Sequence, residues 1–187
     1  MEQRVIRTIR DHLLEGATVV SSPNCDFRPD GSDLSLIVIH GISLPPDEFG
    51  GAFIEQLFCN KLDPNEHPYF AEICHLRVSS HLLIRRDGSV IQFVPFDKRA
   101  WHAGVSCYQG RSHCNDYSIG IELEGADHIP YELIQYEKLI ESIAALLNHY
   151  PKLKQENVAG HCDIAPGRKT DPGVTFDWEF LRSGIAT

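Results

Sequence analysis

The segment LSLIVIH, residues 34–40, is a continuous apolar and β-branched run that ends at a histidine. A short run of this kind predicts a strand that is buried on both faces at the centre of a sheet. Open α/β sheets bind their ligands at the carboxyl ends of such strands. His40 terminates the run, and the small Gly41 after it leaves the backbone approachable. The pattern therefore indicates either a ligand-binding histidine at His40 or a structural one.

The segment DYSIGIELEG, residues 116–125, predicts a second strand whose alternation sorts the side chains onto two faces. One face is apolar, and the other carries Gly120, Glu122 and Glu124. Either glutamate could act as a general base toward water that a metal activates. The alternative is an ordinary half-exposed strand with solvated glutamates.

The rest of the chain predicts further strands and helices in alternation. SSHLLIRRDGSVIQFV, residues 79–94, indicates a hairpin around Asp87–Gly88, and ENVAG, residues 156–160, indicates a short strand. Helices are predicted over residues 2–15, roughly 48–60 with Asp47 as a cap, 131–150 and 176–184. The long third helix has one apolar stripe, formed by Leu133, Ile134, Leu139, Ile140, Ile143, Ala144 and Leu147. A hairpin combined with crossovers predicts an α/β fold with a single mixed β-sheet flanked by helices, in one domain over residues 1–187.

Composition restricts the classes of protein to which the chain can belong. It has 17 basic and 26 acidic residues and a formal net charge of -9, which argues against a nucleic-acid binder that relies on phosphate contacts. The N-terminal segment lacks the apolar region of a secretory signal, and no apolar run is long enough to span a membrane. Six cysteines without a C-x-x-C pair are typical of reduced thiols. A cytoplasmic protein is therefore expected.

The loop GHCDIAPGRKTDPG, residues 160–173, raises the question of a metal site. His161 follows an apolar triplet at a predicted strand end, as His40 does. Two such histidines and a carboxylate match a catalytic zinc, which commonly takes three protein ligands and one water. Asp163 and Asp171 compete for the carboxylate position, and Asp171 is preferred because Asp163 follows His161 in a tight turn.

Two other side chains of this loop have alternative interpretations. A thiol mechanism through Cys162 would need an adjacent base, and neighbours such as His161 and Cys162 rarely point the same way in an extended chain. Lys169 could place a cation beside a developing oxyanion, or it could be a solvated loop lysine.

Taken together, these motifs identify a family resemblance. The chain resembles the type-2 N-acetylmuramoyl-L-alanine amidases in five segments that occur in order and at matching spacing: residues 37–46, 67–104, 114–125, 150–173 and 176–181. The resemblance extends from about residue 15 to residue 182. It implies the mixed sheet shared by phage amidases and peptidoglycan recognition proteins.

The resemblance also implies a set of catalytic residues. It implies one zinc ion per chain, bound by His40, His161 and Asp171. It selects Glu122 rather than Glu124 as the residue that takes a proton from the attacking water, and it gives Lys169 the role of stabilising the oxyanion.

The substrate groove is implied in the same way. Arg77, Trp101 and His102 match positions that line it. Gly41 and His113 also belong to the substrate side, where relatives carry Asn and Arg instead. Residues 95–116 are expected to be irregular and to act as a lid over this groove.

The implied activity is zinc-dependent hydrolysis of the amide between 1,6-anhydro-N-acetylmuramic acid and L-alanine in muropeptides, during cytosolic peptidoglycan recycling. A non-catalytic muropeptide sensor and an extracellular amidase acting on polymeric cell wall are the alternatives. The expected partner is the anhydro-muropeptide substrate, with no nucleic acid and no membrane, and the expected state is a monomer.

Overall fold

The computed structural model describes residues 7–31 and 33–186 of the chain. Its strands are β1 (Ile9–Arg10), β2 (Leu13–Leu14), β3 (Thr18–Val19), β4 (Cys25–Phe27), β5 (Leu36–Ile42), β6 (Leu82–Ile84), β7 (Val90–Gln92), β8 (Lys98–Ala100), β9 (Cys107–Tyr108), β10 (Arg111–Ser112), β11 (Ser118–Glu124) and β12 (Val158–Gly160). Its helices are α1 (Phe53–Phe58), α2 (Pro68–Ile73), α3 (Leu133–His149), α4 (His161–Ile164) and α5 (Trp178–Ile185). Short 3-10 turns occupy Cys114–Asp116 and Gln155–Asn157.

Six strands form the central sheet in the order β12-β5-β11-β6-β7-β3. The pairs β12/β5, β5/β11 and β11/β6 are parallel, whereas β6 and β7 form an antiparallel hairpin. The predicted mixed sheet with flanking helices is therefore confirmed, and the LSLIVIH segment provides the strand between β12 and β11. Within the β5/β11 pair, Glu122 lies opposite His40.

The two faces of the sheet are covered differently. On one face, α3 and α5 bury the odd-numbered apolar residues of β5 and β11 in a cluster that includes Ile39, Ile121 and Leu139. On the other face, α1 and α2 pack against β6 and β7 through residues such as Phe58 and Phe70. His40 and Glu122 alternate with the first set, so they lie on this second face, next to the α1–α2 layer.

The N-terminal helix predicted over residues 2–15 is wrong where the structure describes it, and residues 1–6 lie outside the described part. Ile9–Arg10 and Leu13–Leu14 pair as antiparallel strands instead, with Asp11 and His12 at positive φ in the turn. Long-range hydrogen bonds explain the difference: the Leu14 amide donates to Gln92 Oε1 at 2.7 Å, and the Phe96 amide donates to the His12 carbonyl at 3.0 Å. Contacts with the sheet therefore outweigh the local helical pattern.

The helix expected over residues 48–60 is real but shorter, beginning at Phe53. Gly50 and Gly51 adopt φ values of 86° and 68°, which a right-handed helix cannot accommodate, and Asp47 is also left-handed rather than a cap. The segment 95–116 likewise contains the short strands β8, β9 and β10 in place of a wholly irregular loop.

Helix α3 is confirmed, but its buried stripe differs from the apolar one. Leu133 is 60% exposed, whereas the polar Gln135 is fully buried. The Gln135 amide donates to the carbonyls of Ile84 and Glu124 at 3.2 and 3.0 Å, so it satisfies two strand-end acceptors. Within the described residues, no helix has both the length and the apolar character needed to cross a bilayer.

Candidate metal centre

His40, His161 and Asp171 meet at the carboxyl edge of the sheet. His40 lies near the end of β5, and His161 follows β12, the parallel neighbour of β5. The two Nδ1 atoms are 2.9 Å apart, and Asp171 Oδ2 lies 3.3 Å from His40 Nδ1 and 3.0 Å from His161 Nδ1. Both imidazoles are almost completely buried. Parallel pairing thus brings together two histidines that are 121 residues apart in sequence.

Asp171 reaches the cluster because its loop folds back over the edge of the sheet. Its carbonyl accepts a hydrogen bond from the Cys162 amide at 3.0 Å, and the Tyr131 hydroxyl donates to the next carbonyl, that of Pro172, at 2.8 Å. Asp163, the other candidate, instead accepts from the Gly160 amide at 2.7 Å and so belongs to the turn. Burial raises the pKa of the Cys162 thiol, which disfavours the thiolate that a nucleophilic cysteine needs.

The three side chains form a group that can hold a metal ion, since their donor atoms all lie within 4.8 Å of one another. Two imidazole nitrogens and one carboxylate oxygen are a donor set that zinc commonly takes in catalytic sites. Burial lowers the pKa of His40 to about 4, which leaves this imidazole neutral at pH 7 with a lone pair to donate. Burial alone would raise the pKa of Asp171, yet its close contacts with the His161 and His40 imidazoles hold it well below its ordinary range.

Glu122 projects into the same cavity, which has a volume of about 280 Å³. Its side chain is buried, and its Oε2 atom has no hydrogen-bond partner among the described residues. Burial raises the pKa of this carboxyl well above its ordinary value, and the negative charge of Asp171 adds to the effect. A buried acid without a protein partner is available to exchange a proton with a molecule in the cavity.

Glu124, the alternative base of the same strand face, is fully engaged elsewhere. Its Oε1 atom accepts from the Gly50 amide at 2.6 Å and from Arg85 Nη1 at 3.2 Å, and its Oε2 atom accepts from the Arg86 amide at 3.3 Å. It does not line the cavity that contains His40. Of the two glutamates, only Glu122 faces the metal cluster.

Lys169 lies at the mouth of this cavity and is exposed. Its ammonium group makes no salt bridge within residues 7–31 and 33–186. Its charge partly offsets the upward shift of the Glu122 pKa, so the two groups are close enough to interact. A cation in this position can approach an oxygen of a bound molecule.

The predicted groove residues divide into three sets. Gly41, Trp101 and His102 line the 280 Å³ cavity. Arg77 lines an adjoining cavity that also contains Trp101, His102 and Lys169. His113 is exposed, occupies a left-handed position before the turn at Cys114–Asp116, and lines neither of these two cavities. Its role on the substrate side stays a prediction.

Gly41 is tightly enclosed. A Cβ atom at this position would lie 2.3 Å from the Tyr131 hydroxyl oxygen, and that hydroxyl is held by its bond to Pro172. An asparagine at position 41 would therefore require Tyr131 to move.

Sequence reasoning missed the apolar wall of the cavity. This wall comes from α1, α2 and the segment that follows α2: Leu57, Phe58, Tyr69, Ile73, Leu76 and Val78. It also missed Arg168, whose Nη2 atom donates to the carbonyls of Ala103 and Val105, both at 2.7 Å. Apolar helix residues and a loop arginine carry no distinguishing signal in sequence, because only the tertiary fold shows which space they face.

Comparison with known proteins places this geometry among characterised relatives. A family model described as N-acetylmuramoyl-L-alanine amidase matches residues 30–174. The chain is 60% identical over 169 residues to the 1,6-anhydro-N-acetylmuramyl-L-alanine amidase AmpD of Escherichia coli K12, which covers 90% of this chain and 92% of the relative. A crystal structure of a selenomethionine derivative of AmpD matches with a TM-score of 0.92 and 57% identity, covering 95% of this chain and 98% of that one.

A second solved structure shows a relative with its substrate bound. The E. coli amidase AmiD, in complex with anhydro-N-acetylmuramic acid-L-Ala-D-γ-Glu-L-Lys, matches with a TM-score of 0.59 and 27% identity. The match covers 96% of this chain and 65% of that one. Together these likenesses agree with the mixed sheet and flanking helices described above.

Proposed function

The chain belongs to the N-acetylmuramoyl-L-alanine amidase family, and on this premise we propose that it hydrolyses the amide between 1,6-anhydro-N-acetylmuramic acid and the L-alanine of muropeptides. The name of its 60% identical relative supports this substrate, as does the anhydro-muropeptide bound to AmiD. The observation that carries the proposal is a buried Glu122 carboxyl, its Oε2 atom without a hydrogen-bond partner among the described residues, in one cavity with His40, His161 and Asp171.

The proposed cofactor is one zinc ion per chain, held by His40, His161 and Asp171. When bound, it would polarise the scissile carbonyl and make a nearby water more acidic. The buried, neutral imidazole of His40 and the ionised carboxyl of Asp171 are the protonation states that metal ligands require.

Glu122 and Lys169 supply the proton transfer and the charge stabilisation. Glu122 takes a proton from the attacking water and gives it to the amine nitrogen that leaves, because a carboxyl whose pKa burial raises holds the proton long enough to return it. Lys169 places its ammonium group beside the carbonyl oxygen as negative charge develops there. The apolar wall excludes water from the reacting amide, and Trp101 contributes a flat surface for the substrate.

The setting of this activity is also a proposal. Peptidoglycan recycling in the cytoplasm is supported by the relative's substrate and by six cysteines that are all free in the structure, as in a reducing compartment. A monomer, a single domain over residues 1–187, and the lack of nucleic-acid and membrane partners stay predictions. Size-exclusion chromatography with light scattering tests the first of them.

A cleavage assay tests the activity. The purified protein is incubated with 1,6-anhydro-N-acetylmuramyl tripeptide and with the non-anhydro counterpart, with and without a chelator, and after zinc is restored. We expect release of free tripeptide from the anhydro substrate, loss of cleavage after chelation, and recovery with zinc. Undiminished cleavage after complete metal removal would overturn the proposed role of zinc.

The same assay addresses the two alternatives. A non-catalytic sensor would bind the anhydro-muropeptide without turnover in the zinc-loaded protein. An amidase of polymeric cell wall would digest intact sacculi, which we expect to resist this protein.

A further inference from the structure

The two histidines of the metal cluster are held at their outer nitrogens by one short segment, Trp101–Gly104. His40 Nε2 lies 2.9 Å from His102 Nδ1, and His161 Nε2 lies 3.2 Å from the Ala103 carbonyl oxygen. Both Nδ1 atoms point the other way, toward Asp171. Two consecutive residues thus contact both imidazoles on the side away from the cluster.

Hydrogen-bond chemistry assigns the protons in this arrangement. A carbonyl oxygen only accepts, so the 3.2 Å contact with Ala103 assigns the hydrogen to His161 Nε2 and leaves a lone pair on Nδ1. Arg168 Nη2, which donates to the same carbonyl, lies farther from His161 Nε2, at 3.5 Å. The same assignment holds for His40 if its Nε2–H donates to His102 Nδ1. His102 then carries its own hydrogen on Nε2, which lies 3.1 Å from the Ser118 hydroxyl oxygen, an atom able to accept it.

The ring of His102 is itself held rigidly. It packs flat on Gly120, where an added Cβ atom would lie 2.5 Å from His102 Cγ. The amides of His102 and Ala103 donate to Asn115 Oδ1 at 3.1 and 2.8 Å. The main-chain carbonyl of Asn115 in turn accepts from the buried Arg28 guanidinium at 3.1 Å. The position of His102 is therefore set before any ligand binds.

We propose that His102 is a positioning residue for the metal site: it accepts a hydrogen bond from His40 Nε2 and so holds His40 Nδ1 toward the metal. This inference rests on the proposed zinc site and adds a role that lining the substrate groove does not require. Residues that hydrogen-bond to metal ligands orient the ligand and select its tautomer, and their loss weakens metal binding by roughly 10–100-fold.

Zinc affinity of the metal-free protein provides the test, measured by competition with a chromophoric chelator and without any substrate. We expect His102→Ala to raise the zinc Kd by roughly 10–100-fold. His102→Asn should stay much closer to wild type, because the Asn Oδ1 atom can take the place of the imidazole Nδ1 as acceptor. His75→Ala, which removes an exposed histidine, is the matched control and should leave Kd unchanged.

A second variant moves His102 without replacing it. Gly120→Ala must displace the ring, so it should also weaken zinc binding although every proposed ligand remains. Thermal unfolding of the metal-free proteins identifies any variant that fails to fold. If His102→Ala does not fold, the zinc Kd values of His102→Asn, Gly120→Ala and wild type are compared instead. A Gly120→Ala protein that binds zinc as tightly as the other two would then overturn the positioning role.

The outcomes separate this inference from the proposed function. A folded His102→Ala protein that binds zinc as tightly as wild type would overturn the positioning role, even if it lost activity, since that result would leave His102 with a substrate role only. A wild-type protein that binds no zinc would instead overturn the metal site on which both proposals rest.

Discussion

Glu122 and Glu124 are two residues apart on the same face of β11, and both are buried, yet their neighbourhoods are opposite. Glu124 accepts hydrogen bonds from Arg85 and from the amides of Gly50 and Arg86. Glu122 faces an open cavity beside the metal cluster, and its Oε2 atom has no partner in the described structure.

The difference shows how one strand supplies both structure and chemistry. A buried carboxylate with an ion pair and backbone donors joins the segments that it contacts, here the loop before α1 and the hairpin β6–β7. A buried carboxyl whose Oε2 atom has no hydrogen-bond partner costs free energy in the folded protein, which is typical of groups at functional sites. The first neighbourhood should therefore control stability, and the second should control activity.

The largest expected effect is the loss of activity when Glu122 is replaced. Glu122→Gln keeps the shape of the side chain but cannot accept a proton, so turnover of the anhydro-muropeptide should fall by roughly 100- to 10,000-fold. Zinc content, measured by metal analysis, and thermal stability should not decrease. Turnover near the wild-type value would contradict the assignment of Glu122 as the base.

Lys169 is a second charged side chain beside the Glu122 cavity that makes no salt bridge among the described residues. Lys169→Met removes the cation that we place beside the developing oxyanion, and turnover should fall by roughly 100- to 1,000-fold, about 3–4 kcal/mol in the barrier. Lys152→Met, at an exposed lysine outside the cavity, is the control. If both variants cleave the substrate equally well, Lys169 is a solvated loop residue.

Glu124→Gln should lower stability and leave activity largely unchanged, which is the reverse of the effect expected for Glu122→Gln. It leaves the half-buried Arg85 guanidinium and the backbone donors of Gly50 and Arg86 without the Glu124 carboxylate as a partner, and the free energy of unfolding should drop by on the order of 3 kcal/mol. Turnover per folded molecule should stay within a few-fold of wild type. Chemical denaturation and active-site titration measure the two quantities, and a stable but inactive Glu124→Gln protein would break the comparison.

The smallest effect concerns pH in the metal-free protein. Burial raises the pKa of Glu122 in the folded state, so between about pH 4.5 and that raised pKa the folded protein keeps a proton that the unfolded chain releases. Stability then falls as pH rises, by up to about 1.4 kcal/mol per pH unit, and below both pKa values the group contributes nothing.

Glu122→Gln removes this dependence. The metal-free variant should unfold at a higher temperature than metal-free wild type at pH 8, and the difference should vanish near pH 4. Thermal unfolding followed by circular dichroism measures it. A difference that is independent of pH would show that Glu122 is not the titrating group.

Much of the architecture could be predicted from local pattern. The strand that contains His40, the alternation around Glu122 and the hairpin at Asp87–Gly88 all appear in the structure, although β5 continues past His40 to Ile42. These predictions succeed because strand periodicity and turn chemistry depend on neighbouring residues alone. The prediction for the N-terminal segment failed for the opposite reason: residues 9–14 pair as two short strands, and the hydrogen bonds that hold this pair in place involve the distant Gln92 and Phe96.

In the candidate site, too, some features follow from local sequence and others depend on the tertiary structure. Two histidines could be recognised as candidate metal ligands from their positions after apolar strand runs. The residues alone preferred Asp171 over Asp163 without settling the choice, and they did not separate Glu122 from Glu124. Family resemblance selected one of each pair. The structure adds the physical reason, because Asp163 and Glu124 have backbone partners that occupy their oxygens.

The amino-acid order by itself determined the central strands β5, β6, β7, β11 and β12, the face on which the residues of β11 lie, and the kinds of donor atoms available at the strand ends. Only the tertiary structure decided which buried acid stays unpaired and which nitrogen of His40 and His161 faces the cluster. Those outcomes depend on Arg85, Ala103 and His102, which lie far along the chain from the groups that they contact. A hydrogen bond requires its atoms within about 3 Å, and a separation in sequence does not specify a separation in space until the chain is packed.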